Sequence, residues 1–188
     1  QGMNKSTVFL LIGGKSERFG SPKWKAILNG KLVLDHIWDA CGSFENQYII
    51  GKEKPVDLKK PFIQDALEMK APVNGLYTAL KNTTTDWILL LSCDLPLITP
   101  TVFEKLWELK SETCDAIVPT ANDKTQVTCG FYNKRILSKL ESEIQNSNYS
   151  IFKLMKKLNT TYVDFGKDNQ FLNMNTKADL EKISFLIH

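Results

Sequence analysis

The stretch Thr7-Val-Phe-Leu-Leu-Ile-Gly-Gly-Lys-Ser-Glu-Arg-Phe-Gly-Ser-Pro-Lys23 joins a short apolar run to a loop rich in glycine and positive charge. The run from Thr7 to Ile12 is continuous and does not alternate with polar residues, which predicts a strand buried on both faces of a parallel sheet. A loop that follows such a strand lies at the carboxyl edge of the sheet, where open α/β folds bind their ligands. The stretch therefore predicts an α/β fold with a binding site directly after its first strand.

The loop combines three glycines with three cations, which are Lys15, Arg18 and Lys23. Glycines let backbone N–H groups approach phosphate oxygens, and the cations neutralise phosphate charge. The dinucleotide fingerprint G-x-G-x-x-G is excluded because Lys15 or Ser16 stands where its second glycine is required, and the Walker pattern is excluded because Gly20 is not followed by lysine. The remaining pattern resembles the signature loop of the nucleotidyltransferases that activate sugars, isoprenoid precursors and molybdopterin. The alternative is a plain glycine turn with solvated cations.

Length and composition bound the kind of protein. The 188 residues suit one domain, which we expect to span residues 3–188, because Gln1-Gly2 before Met3 looks like a remnant of protease cleavage. After Met3 the sequence shows no charged-then-apolar leader, and no apolar run approaches the ~20 residues that span a bilayer. We therefore expect a cytoplasmic protein without membrane contact. A net charge of +3 with dispersed lysines does not indicate a nucleic-acid partner.

Histidine and cysteine usage restricts the chemistry further. The only histidines are His36 and His188, which disfavours Ser-His-Asp and Cys-His catalysis and histidine-ligated zinc. No two cysteines form a C-x-x-C pair, so they are expected to fill the core in a reducing compartment; they are Cys41, Cys93, Cys114 and Cys129. An enzyme of this composition must work through carboxylates, cations and a hard metal ion.

Apolar runs and helical periodicity alternate along the chain. This order predicts a three-layer α/β/α, Rossmann-like fold with a mostly parallel sheet and one antiparallel strand. Further strands are predicted at Gln47–Gly51, Phe62–Asp65, Trp87–Ser92, Asp115–Pro119, Gln126–Tyr132 (the antiparallel or edge strand) and Tyr162–Phe165. Helices are predicted at Leu32–Phe44, Asn74–Lys81, Thr101–Leu109 (with Thr99 as N-cap), Ile136–Ile144, Ile151–Leu158 and Lys177–Leu186.

Asp94 follows the strongest strand signal, in the segment Leu89-Leu-Leu-Ser-Cys-Asp-Leu-Pro96. A carboxylate at the carboxyl edge can hold Mg²⁺ beside nucleotide phosphates, because Mg²⁺ takes hard oxygen ligands and only one or two of them from protein. The alternative is an Asx turn before Leu95-Pro96. Since the glycine loop and Asp94 both follow strands that would be neighbours, the two features together favour a metal-triphosphate site.

With both motifs in view, the chain resembles the molybdenum cofactor guanylyltransferase family over essentially its whole length after Met3. The matching segments are Leu11-Ile-Gly-Gly14, Arg18-Phe-Gly20 with Lys23, Asp65, Ala71-Pro-Val-Asn-Gly75, Cys93-Asp-Leu-Pro96 and Phe171-Leu-Asn-Met-Asn-Thr176. The departures are Ile12 for the usual Ala, Pro22 for a common Asp, Asn74 for a small residue, and Ile50-Gly51-Lys52 in place of the family's base-contacting Asn.

The resemblance implies a fold of the nucleotide-diphospho-sugar transferase type and transfer of GMP from GTP to molybdopterin, with Mg²⁺ held by Asp94. It implies catalytic roles for Arg18, Lys23 and Asp94. It implies GTP contacts at Leu11, Ile12, Gly13, Gly14, Lys23, Asp65, Gly75 and Asp94. Asn173 and Asn175 would face the pterin or the metal. Molybdopterin-handling proteins and apo-molybdoenzymes are the protein partners that this role implies.

Several alternatives stay open at this level. Asp65 could be a strand-end turn residue, and Thr176-Lys-Ala-Asp179 resembles a capping box that would explain the polar residues before the last helix. Pro22-Lys23 is the version of the loop found in sugar and isoprenoid nucleotidyltransferases, so a sugar phosphate or CTP could replace the expected substrates. A non-catalytic pterin carrier is the remaining class.

Overall fold

A computed structural model describes residues 2–13 and 19–187. The strands in this part of the chain are β1 (Thr7–Leu11), β2 (Ile27–Leu28), β3 (Lys31–Leu32), β4 (Asn46–Gly51), β5 (Phe62–Gln64), β6 (Trp87–Ser92), β7 (Ala116–Ala121), β8 (Lys124–Thr125), β9 (Cys129–Asn133) and β10 (Thr160–Asp164). The α-helices are α1 (Val33–Ala40), α2 (Pro72–Asn82), α3 (Pro100–Glu108), α4 (Leu137–Gln145), α5 (Ile151–Lys156) and α6 (Lys177–Leu186).

The described strands form an eight-stranded sheet in the order β10-β7-β9-β6-β1-β4-β5, with β8 paired to β7, and a separate β2–β3 hairpin. β1 is parallel to β4 on one side and to β6 on the other. β9 is antiparallel to both β6 and β7, so the antiparallel strand predicted at Gln126–Tyr132 is confirmed, although it begins at Cys129 and lies inside the sheet. The two-residue β8, an element that was not predicted, pairs antiparallel with β7.

Helices cover both faces of the sheet, as the continuous apolar strands predicted. Alternate residues of β1 point to opposite faces: Val8 and Leu10 join the apolar core beneath α1, α3 and α6, whereas Phe9 joins the core beneath α2, α4 and α5. A fully buried Leu or Phe side chain contributes about 1.5–3 kcal/mol relative to exposure. The side chains of the parallel strands therefore hold the layers together. Because the strand interiors are buried on both faces, polar side chains lie at the strand ends.

The cysteines are all free thiols buried in the core, as expected. Burial raises the pKa of the Cys93 and Cys129 thiols to about 12. Because the thiolate is the reactive form, neither side chain is a nucleophile at neutral pH. No helix among residues 2–13 and 19–187 has both the length and the apolar composition to cross a membrane.

Local signals explain where the structure departs from the predicted elements. The β2–β3 hairpin was missed although it turns at Asn29-Gly30, a dipeptide typical of two-residue hairpins, with positive φ angles of 50° and 75°. Thr99 precedes α3 as predicted but caps no helix N–H; its hydroxyl bonds the hydroxyl of Thr101 at 2.7 Å instead. α2 begins earlier than predicted, with Pro72 in its first turn.

The capping box before α6 is confirmed. The backbone N–H of Asp179 donates to Thr176 Oγ1 at 3.1 Å, and Thr176 N–H donates back to Asp179 Oδ2 at 2.9 Å. The Asn175 N–H also donates to Asp179 Oδ2 at 2.9 Å, and these backbone donors hold the pKa of Asp179 below its usual range. The cap therefore fixes the backbone of Asn175 and leaves its side chain available for other contacts.

Asn74 anchors the loop that follows β5. Its side chain is buried in the first turn of α2, where Oδ1 accepts from Leu67 N–H at 3.1 Å and Nδ2 donates to the carbonyls of Leu67 at 2.8 Å and Met69 at 3.0 Å. Thr78, one turn on, accepts from Ala66 N–H at 3.0 Å. Two polar side chains of one helix therefore set the path of the chain directly after Asp65.

Replacing Asn74 with Ala should release this loop. The substitution leaves partly buried backbone groups of residues 67 and 69 without their Asn74 partner, so we expect a loss of about 1–2 kcal/mol in the free energy of unfolding. Hydrogen–deuterium exchange should be faster at the Leu67 amide. Asn82→Ala is the matched control, because exposed Asn82 only donates to Thr78 O within the same helix. Unchanged exchange at Leu67 would contradict the anchoring role.

Gly130→Ala tests the close packing of β9 between its neighbours. A Cβ at residue 130 would lie 2.7 Å from Val118 Cγ1 and 3.1 Å from the Ile117 carbonyl oxygen. Because the backbone oxygen cannot move freely, we expect overpacking to lower the free energy of unfolding by about 1–3 kcal/mol in urea denaturation. Gly42→Ala places its Cβ at an ordinary 3.5 Å from Asp39 O and should change stability far less.

Candidate active site

The predicted site residues follow strands that end side by side at one edge of the sheet. Leu11 lies opposite Ser92 in the β1–β6 ladder, and beyond it Cys93 N–H donates to Leu11 O at 3.1 Å. On the other side of β1, Ile12 N–H donates to Ile50 O at 3.1 Å. The glycine loop and the Asp94 turn therefore begin next to each other, which confirms that the two predicted motifs follow neighbouring strands.

Lys23 connects three segments that are far apart in sequence. Its Nζ lies 3.0 Å from Asp94 Oδ1 and 3.3 Å from Asn175 Oδ1. The backbone reinforces the arrangement, because Met174 N–H donates to Asp94 O at 2.8 Å. The structure thus brings together three of the predicted site residues, one from the loop after β1, one from the turn after β6 and one from the segment before α6.

The Lys23–Asp94 pair is more sheltered than an ordinary surface pair. The Lys23 side chain is 16% exposed and the Asp94 side chain 34% exposed, whereas the neighbouring Lys25–Asp57 pair is 44% and 61% exposed. Screening by water and salt is weaker for partly buried charges, so such a pair interacts more strongly than surface pairs. The site therefore presents a positive and a negative charge side by side. This arrangement suits a ligand that consists of negatively charged phosphates and a bound metal ion.

The donor atoms around Lys23 are hard oxygens, a carboxylate and an amide. Within residues 2–13 and 19–187, no group of three or more His, Cys, Asp and Glu side chains could by itself hold a metal ion. Mg²⁺ does not require such a cage, because it usually takes one or two carboxylates and completes its shell with phosphate oxygens and water. Asp94 fits this type of site, and Asn175 Oδ1 contacts the same ammonium group as Asp94 Oδ1.

Asp65 lies two strands away from β1, directly after β5. Its backbone N–H donates to Gly51 O at 2.8 Å, which holds it beside the end of β4. The side chain is half-buried, and this burial raises the pKa of the carboxyl, while the positive charge of Lys52 partly offsets the rise. A partly desolvated carboxylate at the carboxyl edge of the sheet could accept strong hydrogen bonds from N–H donors.

Several of the predicted nucleotide contacts have a packing reason for their residue type. A Cβ on Gly75, in α2, would lie 2.5 Å from Leu11 Cδ2, so the glycine lets the helix approach β1. Gly13 has a φ of +63°, which favours glycine where the loop leaves β1. Ile12 is buried, at 5% exposure. Gly14 and Arg18, also predicted at the site, lie outside the described residues.

The structure separates the two asparagines before α6. Asn175 faces Lys23, whereas Asn173 lines an apolar depression with Leu172, Ile183 and Phe185. Met174, between them, is fully buried. The two side chains therefore contact different surroundings although they are two residues apart.

The far end of this edge, where β7 and β10 finish, was not predicted from the sequence. The β7–β8 turn, Asn122-Asp123, has positive φ angles of 52° and 62°. Asn122 Nδ2 donates to Asp168 O at 3.0 Å, and Asp168 N–H donates to Asn122 Oδ1 at 2.9 Å. These residues line a shallow cavity together with Lys167 and Asn169. The Asn-Asp dipeptide after an apolar run was the available signal for this turn.

Comparison with known proteins agrees with this geometry. Residues 8–161 match the family described as the MobA-like NTP transferase domain. A probable molybdenum cofactor guanylyltransferase of Aquifex aeolicus is 35% identical, covering 95% of this chain and 90% of the relative. Another, from Geobacillus sp., is 30% identical over 96% of this chain and 99% of the relative.

A crystal structure of a molybdopterin-guanine dinucleotide biosynthesis protein A from Archaeoglobus fulgidus superposes with a TM-score of 0.81. It is 22% identical and covers 96% of this chain and 98% of that one, so it supports the fold. The family match over most of the chain and the similarity to the Aquifex and Geobacillus proteins show that this chain belongs to the MobA-like NTP transferases, in the molybdenum cofactor guanylyltransferase family.

Proposed function

We propose that this protein transfers GMP from GTP to molybdopterin, forming molybdopterin guanine dinucleotide and releasing pyrophosphate. The observation that supports the proposal most directly is the meeting of Lys23, Asp94 and Asn175 at the carboxyl edge of the sheet. We further propose that residues 3–188 act as one nucleotidyltransferase domain in the cytoplasm, where the buried free thiols stay reduced.

The reaction requires positioning and charge neutralisation more than covalent help. A terminal phosphate oxygen of the pterin attacks the α-phosphorus of GTP in line; the new O–P bond forms as the bond to the β-phosphate oxygen breaks, and pyrophosphate leaves with the electron pair. Lys23 neutralises charge that accumulates on the departing pyrophosphate, and Arg18 is proposed to assist it. A chain with two histidines can carry out this chemistry.

Asp94 is the proposed ligand of Mg²⁺, with Asn175 Oδ1 as a second oxygen within reach of the same position. The ion would neutralise phosphate charge and orient the triphosphate. In the structure the Lys23 ammonium lies between these two oxygens. On the proposed mechanism, Lys23 leaves Asp94 and contacts the phosphates when GTP binds. This frees the Asp94 carboxylate to hold Mg²⁺, so that nucleotide binding and metal binding are coupled.

The nucleoside is proposed to lie over the ends of β4 and β5. Asp65 accepts from guanine N1–H and N2–H₂, a pair of adjacent donors that adenine and cytosine lack. The backbone of Leu11, Ile12 and Gly13, with α2 packed closely at Gly75, is proposed to form the floor beneath the ribose and phosphates. Gly14, which lies outside the described residues, is also proposed to contact GTP. Asn173 and Asn175 are proposed to contact the pterin.

Two other functions make different predictions. Pro22-Lys23 favours a sugar-phosphate substrate or CTP, which keeps the same chemistry with a different base or acceptor. A non-catalytic pterin carrier predicts pterin binding without release of pyrophosphate, and it gives no reason for a Lys23–Asp94 pair at the strand ends. Molybdopterin-handling proteins and apo-molybdoenzymes remain the proposed protein partners.

Removing either charge of the Lys23–Asp94 pair should nearly abolish turnover. Loss of one contact that stabilises transition-state charge typically lowers the rate by about 10²–10³-fold, so we expect this for Lys23→Ala and for Asp94→Ala. Steady-state pyrophosphate release measures the effect, and circular dichroism checks the fold. Lys25→Ala is the matched control, because its exposed ion pair with Asp57 lies only two residues from Lys23. Wild-type rates in either site variant would exclude the mechanism.

The substrates are tested by incubating the protein with molybdopterin, Mg²⁺ and each of GTP, CTP, UTP and ATP. We expect pyrophosphate and a pterin dinucleotide with GTP only, because of the donor edge that Asp65 recognises. Thermal-shift measurements with the same nucleotides should show selective stabilisation by GTP. Turnover with CTP, or with a sugar phosphate in place of the pterin, would identify the alternative transferase, and pterin binding without pyrophosphate release would identify the carrier.

A further inference from the structure

Lys52 and Asp65 emerge side by side from neighbouring strands. In the β4–β5 ladder Gly51 lies opposite Gln64, so the next residues along the two parallel strands are Lys52 and Asp65. The hydrogen bond from Asp65 N–H to Gly51 O, at 2.8 Å, keeps the backbones together at this point. Lys52 is exposed and its charge acts on the half-buried Asp65 carboxyl. A cation and a carboxylate therefore stand next to each other at the binding edge.

Packing limits which polar side chains at the end of β4 can reach a ligand. A Cβ on Gly51 would lie 3.0 Å from Ile12 Cγ1 and 3.3 Å from Phe62 Cε2, so the space beside Gly51 is filled by apolar side chains. Ile12 is itself buried, at 5% exposure. The first side chain after β4 that can donate a hydrogen bond to a ligand over this edge is Lys52.

We propose that Lys52 is a specificity-determining residue that donates to guanine O6 while Asp65 accepts from N1–H and N2–H₂. The inference rests on the proposed function, since it assumes that the base lies over the ends of β4 and β5.

The chemistry of the base matches the order of the two side chains. On guanine the O6 acceptor adjoins the N1–H and N2–H₂ donors, so a donor and an acceptor placed side by side read the whole edge. Adenine presents N6–H₂ beside the N1 acceptor and offers Asp65 only one donor position. Lys52 also compensates for the burial of the Asp65 carboxylate beneath the base, because an opposite charge nearby favours the ionised form.

Single-atom analogues test each contact separately. Binding of GTP, 6-thio-GTP and ITP is measured by calorimetry without the pterin, so that no turnover occurs. 6-Thio-GTP replaces O6 with a weaker acceptor, and ITP lacks the N2 amine. In the wild-type protein both changes should weaken binding. The variants are Lys52→Ala, Asp65→Asn and the control Lys54→Ala, which removes an exposed lysine of the same loop.

Lys52→Ala should weaken GTP binding roughly 10- to 100-fold, the range for loss of a charged hydrogen bond. It should also remove the difference between GTP and 6-thio-GTP and keep the preference for GTP over ITP. Asp65→Asn should do the reverse and reduce the preference for GTP over ITP. Lys54→Ala should match the wild type in all three affinities.

Two results would overturn the inference alone. The first is that Lys52→Ala binds GTP with the same affinity as Lys54→Ala. The second is that Lys52→Ala lowers the affinities for GTP and 6-thio-GTP by the same factor, which would mean that Lys52 acts on Asp65 or the phosphates and does not contact O6. A wild-type protein that binds CTP or ATP as tightly as GTP would instead overturn the proposed function, and this inference with it.

Discussion

The ion pair between Lys23 and Asp94 connects parts of the chain that no local signal would bring together. Lys23 follows the loop after β1, Asp94 follows β6, and Asn175, which also accepts from Lys23, stands before α6. Backbone bonds position Asp94 and Asn175: Cys93 N–H to Leu11 O, Met174 N–H to Asp94 O, and the capping box that fixes the backbone at Asn175. Lys23 meets Asp94 and Asn175 together because these bonds hold the turn after β6 and the segment before α6 side by side.

That meeting point is a consequence of how the sheet is buried. β1 and β6 contribute apolar side chains to cores on both faces, so neither strand can carry a charged residue within its length without a large desolvation cost. The desolvation cost of a charged side chain is smaller where these strands leave the sheet. Parallel strands end at one edge of the sheet, and Asp94 and Asp65 lie just beyond the ends of β6 and β5 at that edge, where water or a ligand can solvate them.

The sequence was informative about buried strands, about the polar residues that follow them and about local motifs. β6 was predicted with both ends correct because a continuous apolar run is bounded by polar residues, and the position of Asp94 followed from it. The capping box at Thr176 was readable because it is local. By contrast, the hydrogen bonds of Asn74 to residues 67 and 69 could not be predicted. They join a loop to a helix, and an asparagine in a predicted first turn does not indicate its partners. The different surroundings of Asn173 and Asn175 were equally unpredictable, because no regular periodicity assigns faces to an irregular segment.

The strand order also separates the residues proposed for catalysis from those proposed for base recognition. Lys23 and Asp94 lie at the ends of β1 and β6, whereas Lys52 and Asp65 follow β4 and β5, on the other side of β1. From β6 to β5 there are three strand spacings of about 4.8 Å each, or roughly 14 Å, which is enough for a nucleoside triphosphate to lie across the strand ends. On this proposal the base would lie over the ends of β4 and β5, and the phosphates would lie near Lys23 and Asp94. Ile12 joins the two regions, because its apolar side chain fills the space that a side chain at residue 51 would need and its backbone N–H donates to Ile50 O at the end of β4.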